Sequence, residues 1–570
     1  MTEGAESHPA DLSRHFVSVS GRELHCLRTG SGPVAVLLPA FPWSAGSLAP
    51  LARVLAEEFT VVVMDLPGYG NSDTLGGSPT IADYADAVVA NLTGLDLDRC
   101  HLYGLNTGAQ VALEVARRHP ERVANLVLDG LPLLQDDQRE DLTERFCSDF
   151  APSWDGTHIA AIWWWCREQS LFGPWYRPSE TTRLDVDEPA PGVLQRRAVD
   201  VLRAGAGYAV GLRAAFASAA VESLGRGGVP YTLVTAAGDP FGAQSAAHPA
   251  PHGQVIDLPP GPDRERRLGS LIGAGDGADR SSAIPRRTPE VGDVSRDYVS
   301  APHGQLLVRH VPGAGRPLVM LHASPTSSSL LEPLMRALAE GRPVIALDTA
   351  GNGDSDAPRN SGPLEIADFA VIAAEALADL TPGEFDLYGT HTGALIAVEV
   401  ALRTPRVRRL ILEGVTLFDD GDRPDLLSRR DLLANYLPRF EPLWDGTHLM
   451  AAWHFRRAFT TYWPWYRRSR SGIRWVPMVE LPSFQGAFTE VVKRLDTYHL
   501  PYRAALAYPT AERLRCLRVP TLIAAHPDDP LQAYTPEAAG LVSGGRWDAL
   551  PDDIAGVAAL YEEFLRGREP

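Results

Sequence analysis

Short unbroken apolar runs alternate along this chain with longer stretches whose apolar residues return every three or four positions. Thr60-Val61-Val62-Val63-Met64, Ala124-Asn125-Leu126-Val127-Leu128 and Val344-Ile345-Ala346-Leu347 are of the first kind, and their length and composition predict buried parallel strands. Ser47 to Glu57 and Leu330 to Ala339 are of the second kind and predict helices with one apolar face. Strands alternating with helices imply an open, mostly parallel sheet covered on both faces, which takes its ligands beyond the carboxyl ends of its strands.

The pattern occurs twice. Val36-Leu37-Leu38-Pro39-Ala40-Phe41-Pro42 returns as Val319-Met320-Leu321-His322-Ala323-Ser324-Pro325, and the loop Asp65-x-x-Gly68-x-Gly70-x-Ser72 returns as Asp348-x-x-Gly351-x-Gly353-x-Ser355. Gly104-Leu105-Asn106-Thr107-Gly108 returns 285 residues later as Gly389-Thr390-His391-Thr392-Gly393, and Val229-Pro230 with Asp239-Pro240 returns as Val519-Pro520 with Asp529-Pro530. Four landmarks in one order, in register, make the chain an internal duplication. In this order they resemble the α/β-hydrolase superfamily: an oxyanion loop, a Gly-rich loop, a Gly-x-x-x-Gly nucleophile elbow and an acid-bearing strand end. The resemblance implies tandem α/β-hydrolase-like domains at about 14–272 and 296–566, each a mostly parallel sheet flanked by helices. Long insertions at about 131–225 and 415–515 stand where the superfamily places a helical cap, and residues 273–295, rich in small and polar residues, read as a linker. Two fused copies of one fold are expected to form an intramolecular pseudo-dimer.

Composition narrows the partners. The 570 residues are too many for a single core. With 53 basic against 71 acidic side chains, a net charge of −18 argues against nucleic acid or an anionic membrane as partner. The polar start and the lack of an 18-residue apolar stretch lead us to expect a cytoplasmic protein. Cys26, Cys100, Cys147, Cys166 and Cys516 form no CxxC pair, which argues against a disulfide framework or a thiolate zinc site. No metal-spaced cluster and no dinucleotide or phosphate fingerprint stands out, so neither metal nor cofactor is expected.

The elbow is where the chemistry departs from the superfamily. Its central residue is exposed to the site on a strained strand-to-helix turn and is ordinarily a serine; here it is Asn106 in one half and His391 in the other. Asp239 and Asp529 stand at the acid position. The superfamily's histidine, due on the loop before the last helix, is missing from both halves: none occurs from Leu531 to Pro570. His391 is long enough to reach toward the space that histidine would fill, where Asp529 or Glu413 would orient it as a general base. His322 opens a loop resembling the His-Gly-x-Pro oxyanion loop, so the backbone N–H groups of Ala323 or Ser324 and of Thr392 are candidate oxyanion donors.

The first half offers Asn106, Asp239 and His158 at the corresponding places. An asparagine is neither an effective nucleophile nor a base, so this half is expected to be non-catalytic. Both caps carry Trp-Asp-Gly-Thr-His followed by a Trp-rich stretch and Pro-Trp-Tyr, which points to a lid over an apolar or aromatic small molecule. His448, Trp453, His454 and His499 are further candidates in the second cap, as are Arg467, Arg468, Arg470 and Arg474 for an acidic substrate group. The expectation is a cofactor-independent enzyme acting by elimination, isomerisation, cyclisation or direct water attack. The alternative is a pseudo-hydrolase that binds small molecules or serves as a scaffold.

Overall fold

The computed structural model describes residues 12–226, 229–236, 238–239, 241–248, 252–261, 263–280, 294–359, 362–419, 427–428 and 438–567. Residues 444–446 apart, the chain divides into two compact units after residue 287. In the first, β1 (Ser13–Val19), β2 (Arg22–Thr29), β3 (Val34–Leu38), β4 (Thr60–Met64), β5 (Cys100–Leu105), β6 (Val123–Asp129), β7 (Tyr231–Thr235) and β8 (Gly253–Asp257) form one sheet in the order β1-β2-β4-β3-β5-β6-β7-β8. Strand β2 runs antiparallel to both its neighbours, and every pairing beyond it is parallel.

The second unit repeats this order. Strands β9 (Ser295–Ala301), β10 (Gly304–Val311), β11 (Leu318–Leu321), β12 (Val344–Leu347), β13 (Phe385–Thr390), β14 (Val407–Glu413), β15 (Thr521–Ala525) and β16 (Arg546–Ala549) lie as β9-β10-β12-β11-β13-β14-β15-β16. The apolar runs became the central strands: Val34–Leu38, Thr60–Met64, Val344–Leu347 and Thr521–Ala525 are buried throughout. Apolar helix stripes such as Ile366, Phe369, Ala370, Ala373 and Leu377 cover the second sheet and close its core.

The insertions are helical caps, as the landmarks imply. Helices Asp136–Arg145, Thr157–Glu168, Pro191–Ala204, Val210–Ala217 and Ala220–Arg226 separate β6 from β7. Helices Thr447–Thr461, Leu481–Lys493, His499–Ala507 and Thr510–Arg515 stand between β14 and β15. Of the expected linker, residues 281–293 lie outside the described residues. The stretch just before them is held on the first unit: the carbonyl of Asp279 accepts the Val34 N–H at 2.8 Å, and its carboxylate accepts the Arg99 N–H at 2.9 Å. Among the described residues no helix is long and apolar enough to cross a membrane, and no group of three or more His, Cys, Asp or Glu could hold a metal ion.

Candidate functional site

Each elbow is built the same way. Asn106 sits at φ 47°, ψ −117° and His391 at φ 51°, ψ −113°, a conformation that costs a non-glycine residue on the order of 1–3 kcal/mol. The turn is held by its neighbour strand, since Asn106 N–H donates to Asp129 O at 2.7 Å and His391 N–H to Glu413 O at 2.8 Å. The helix that follows starts hard against the oxyanion loop. A Cβ at Gly393 would fall on the carbonyl oxygens of Leu321 and His322, and one at Gly108 on those of Pro39 and Leu38. That close approach is why the motif ends in glycine.

At the second elbow the side chains come together. His391 Nε2 lies 3.0 Å from Asp529 Oδ2, and its Nδ1 lies 2.9 Å from the hydroxyl of Thr390. The second oxygen of Asp529 accepts the Leu531 N–H at 2.8 Å. An ionised carboxylate can only accept, so Nε2 carries the proton that Asp529 receives, and Nδ1 is the basic atom of the neutral ring. Burial works against a charged imidazole. The hydrogen bond and charge of Asp529, with the charge of Glu413 added, outweigh both burial and the nearby Arg474, and hold the His391 pKa above its ordinary value. Burial also works against the Asp529 carboxylate, but His391, the Leu531 N–H and Arg474 together hold its pKa below the usual range. The imidazole still keeps 39% of its side-chain surface open.

Glu413, the other carboxylate considered for orienting His391, is occupied elsewhere. Its Oε2 accepts the hydroxyls of Tyr388 and Tyr561, each at 2.7 Å, so it reaches His391 through its charge and through the backbone. Arg474 Nη1 donates to Phe459 O at 2.9 Å and Nη2 to Asp528 O at 3.2 Å, which brings a cation of the cap beside the His391–Asp529 pair.

The oxyanion loops differ between the halves. In the first, the Phe41 N–H donates to the Thr107 hydroxyl at 2.8 Å, so one candidate donor is already taken. In the second, no hydrogen bond within the described residues takes the N–H of the matching Ser324 or that of Thr392. The Ser324 hydroxyl accepts from Asn352 Nδ2 at 3.2 Å. The Ala323 carbonyl accepts from His322 Nδ1 at 2.7 Å.

The His322 ring is buried and structural: its Nε2 accepts the Thr349 N–H at 2.9 Å, which requires the neutral Nδ1–H tautomer, and burial lowers its pKa. His158 and His448 share a second structural role, each accepting at Nδ1 an N–H five residues earlier, from Ser153 at 3.2 Å and Leu443 at 3.1 Å. Trp453 is buried between Phe484 and Phe488, His499 is buried against Tyr498, and His454 is exposed. In the first half Asp239 lies beside Asn106, both within reach of the space a Cβ on Gly130 would take. Sequence reasoning missed Thr390, whose hydroxyl completes a hydroxyl–imidazole–carboxylate chain; the matching residue is Leu105. It also passed over His526, whose Nε2 is 3.6 Å from Asp552 on the loop before the last helix.

Two copies of one strand order, each with a strained elbow under a helical cap, define a tandem hydrolase-type scaffold. The chain belongs to the α/β hydrolase fold family, whose model matches residues 33–245 and 316–478. Among curated proteins it is 37% identical over 127 residues to a fluoroacetate dehalogenase of Burkholderia sp, covering 21% of this chain and 42% of that protein. It is also 37% identical over 135 residues to the 2-hydroxymuconate semialdehyde hydrolase of Pseudomonas sp. (strain CF600), covering 23% of this chain and 45% of that one. The matches thus span less than half the length of these relatives. A solved hydrolase from Pseudomonas aeruginosa PA01 aligns over 49% of this chain and 100% of its own at 19% identity and a TM-score of 0.36. The enol-lactonase from Burkholderia xenovorans LB400 aligns over 47% and 100% at 20% identity and a TM-score of 0.35.

Proposed function

We propose that the second half is the working one, a cofactor-independent site in which His391 acts as general base on a small apolar or aromatic substrate. The observation that carries this reading is the 3.0 Å contact of His391 Nε2 with Asp529 Oδ2 at the elbow. With Nε2–H committed to Asp529, the proton taken from substrate or water arrives at Nδ1, by way of the Thr390 hydroxyl that already touches it. The imidazolium so formed is stabilised by Asp529. The N–H groups of Ser324, on the loop, and of Thr392, at the helix start, are not taken by any hydrogen bond among the described residues, which supports them as donors to a developing oxyanion. Such a site serves elimination, isomerisation, cyclisation or direct attack of water, and needs no acyl-enzyme. The curated relatives include a dehalogenase and a hydrolase, which fits chemistry on small organic molecules.

The first half supports a different reading, a binding domain without turnover. Asn106 has no basic lone pair to offer at neutral pH, and Thr107 occupies the Phe41 donor.

A fluorophosphonate that traps serine nucleophiles is expected to leave both elbows unlabelled in the full chain, as read by intact-mass and peptide mass spectrometry. Stoichiometric adduct on Ser324, Thr390 or Thr392 would overturn the general-base mechanism, because the nucleophile would then have moved to a neighbouring hydroxyl.

A further inference from the structure

Two buried arginines of the second half each meet two carboxylates: Arg309 pairs with Glu332 and Asp348, and Arg342 with Asp386 and Glu562. Arg456, on the cap helix Thr447–Thr461, breaks that pattern. Its guanidinium makes no ion pair and no hydrogen bond among the described residues, and its Nε is fully buried. Nη1 and Nη2 are unpartnered too, but they keep accessible surface. Burial pushes the Arg456 pKa down to about 10, opposed only by Tyr502. The Phe459 ring, 5.9 Å from the guanidinium, takes one face of the cation and none of its N–H donors. A cation withdrawn from water without acceptors is costly, and such an exception calls for an explanation.

Tyr502 is a second unpartnered donor beside it. Its hydroxyl makes no hydrogen bond among the described residues, and it keeps accessible surface although burial raises its pKa. The caps repeat in register: Trp154 to His158 returns 290 residues later as Trp444 to His448, and the bond from the Tyr208 hydroxyl to Ser148 O returns as that from Tyr498 to Pro438 O. In this register Tyr502 stands where Leu212 does, and Phe459, Tyr462 and Pro464 where Gln169, Phe172 and Pro174 do. Those four first-half residues line a cavity of about 250 Å³ between the Asn106 elbow and its cap. Tyr502 is thereby placed on the wall of the matching space under the second cap. Arg456 stands where Cys166 does, so the half with His391 has a guanidinium and a phenol where the half with Asn106 has a thiol and an isobutyl group. The same wall reaches the elbow pair, because the Phe459 carbonyl accepts from Arg474 Nη1 at 2.9 Å and Arg474 is the cation beside His391 and Asp529. Phe459 stacks on Trp465 with centroids 4.7 Å apart, and Trp465 meets Tyr502 edge-on at 5.8 Å, which backs the two donors with aromatic rings.

We propose that Arg456 and Tyr502 seat the carboxylate of the substrate in the second half, which makes that substrate an ionised apolar or aromatic carboxylic acid. The guanidinium donates to the carboxylate oxygens and the Tyr502 hydroxyl donates a further bond, while the apolar body lies along the rings toward His391. No bond is made or broken by the seat. The inference rests on the second half being the working one, and not on the chemistry at His391.

Isothermal titration of the full chain with phenylacetate and with phenylacetamide, which differ chiefly in charge, tests it without turnover. Phenylacetate is expected to bind and phenylacetamide to bind at least about tenfold more weakly, since the amide brings the buried cation no opposite charge. Arg456→Met is expected to weaken phenylacetate about tenfold or more and to leave phenylacetamide within about twofold. Its melting temperature is expected to equal or exceed the parent's, because an unpaired charge has given way to an apolar side chain. Tyr502→Phe is expected to weaken phenylacetate about threefold or more, and it decides the matter should Arg456→Met not fold. Absence of binding at millimolar phenylacetate, equal or reversed preference for the amide, or parental phenylacetate affinity in either variant would each overturn the inference. Kinetics of His391→Ala read the base separately: a dead His391→Ala chain without the charge preference overturns the seat alone, and a live one with the preference intact overturns the base alone.

Discussion

His391→Ala is expected to abolish turnover of any substrate the protein accepts, while Asn106→Ala leaves the catalytic step nearly intact. A positioned general base contributes about 10²- to 10⁴-fold, or roughly 3 to 5 kcal/mol of barrier. His391 is the elbow residue with the means to supply it. Its ring is oriented by Asp529 at 3.0 Å, is touched at Nδ1 by Thr390, and keeps 39% of its side-chain surface open. Asn106 has the same backbone conformation but offers only neutral hydrogen bonds, so its removal is expected to leave the proposed base untouched. Steady-state kinetics on the two purified variants, with circular dichroism to confirm folding, decide the matter. Equal losses in both, or a parental rate in His391→Ala, would move the chemistry away from the second elbow.

The second large effect is expected from a residue with no side chain. Gly414 follows β14 at φ +62°, where a β-carbon is strained by about 1–2 kcal/mol. A Cβ there would lie 2.9 Å from His391 Cε1, 3.0 Å from Nε2 and 3.1 Å from Asp529 Oδ2. Gly414→Ala therefore wedges a methyl group against the His391–Asp529 pair proposed as the base. The imidazole must move off the carboxylate, and activity is expected to fall about 10²-fold in a protein that remains folded, approaching the loss expected without the imidazole. A rate within twofold of the parent would mean that the His391–Asp529 contact is not used in turnover.

Much of this was legible in the residues. The apolar runs at 60–64 and 344–347 are strands with those bounds, and the paired landmarks become two sheets of one strand order. Asp529 was legible because the acid follows a strand end at a fixed place in the scaffold. What could not be read were contacts set by side-chain direction. Whether Thr107 turns its hydroxyl onto the Phe41 N–H depends on how closely the helix packs on the loop. Nothing in the two threonines, Thr107 and Thr392, distinguishes them beforehand. Glu413 and Asp529 were equal candidates until two tyrosine hydroxyls, from β13 and from the last helix, were found on Glu413. The histidine contacts were hidden for a related reason: His322 and His448 each accept a backbone N–H, from Thr349 and Leu443, and nothing in the sequence shows which way either ring turns.

The pH dependence of kcat/KM in the parent and in Asp529→Asn tests the central claim most directly. A general base works in its neutral form, so the rate should fall as pH drops through the pKa of His391, which Asp529 holds above the ordinary histidine value. Replacing the carboxylate with a neutral amide removes the hydrogen bond to an anion and its charge, so burial and Arg474, opposed only by the charge of Glu413, bring that pKa down. The account predicts an acid limb that tracks the His391 imidazole titration seen by NMR and shifts to lower pH in Asp529→Asn. An acid limb that stays in place in Asp529→Asn, or a rate that rises on acidification, would contradict it.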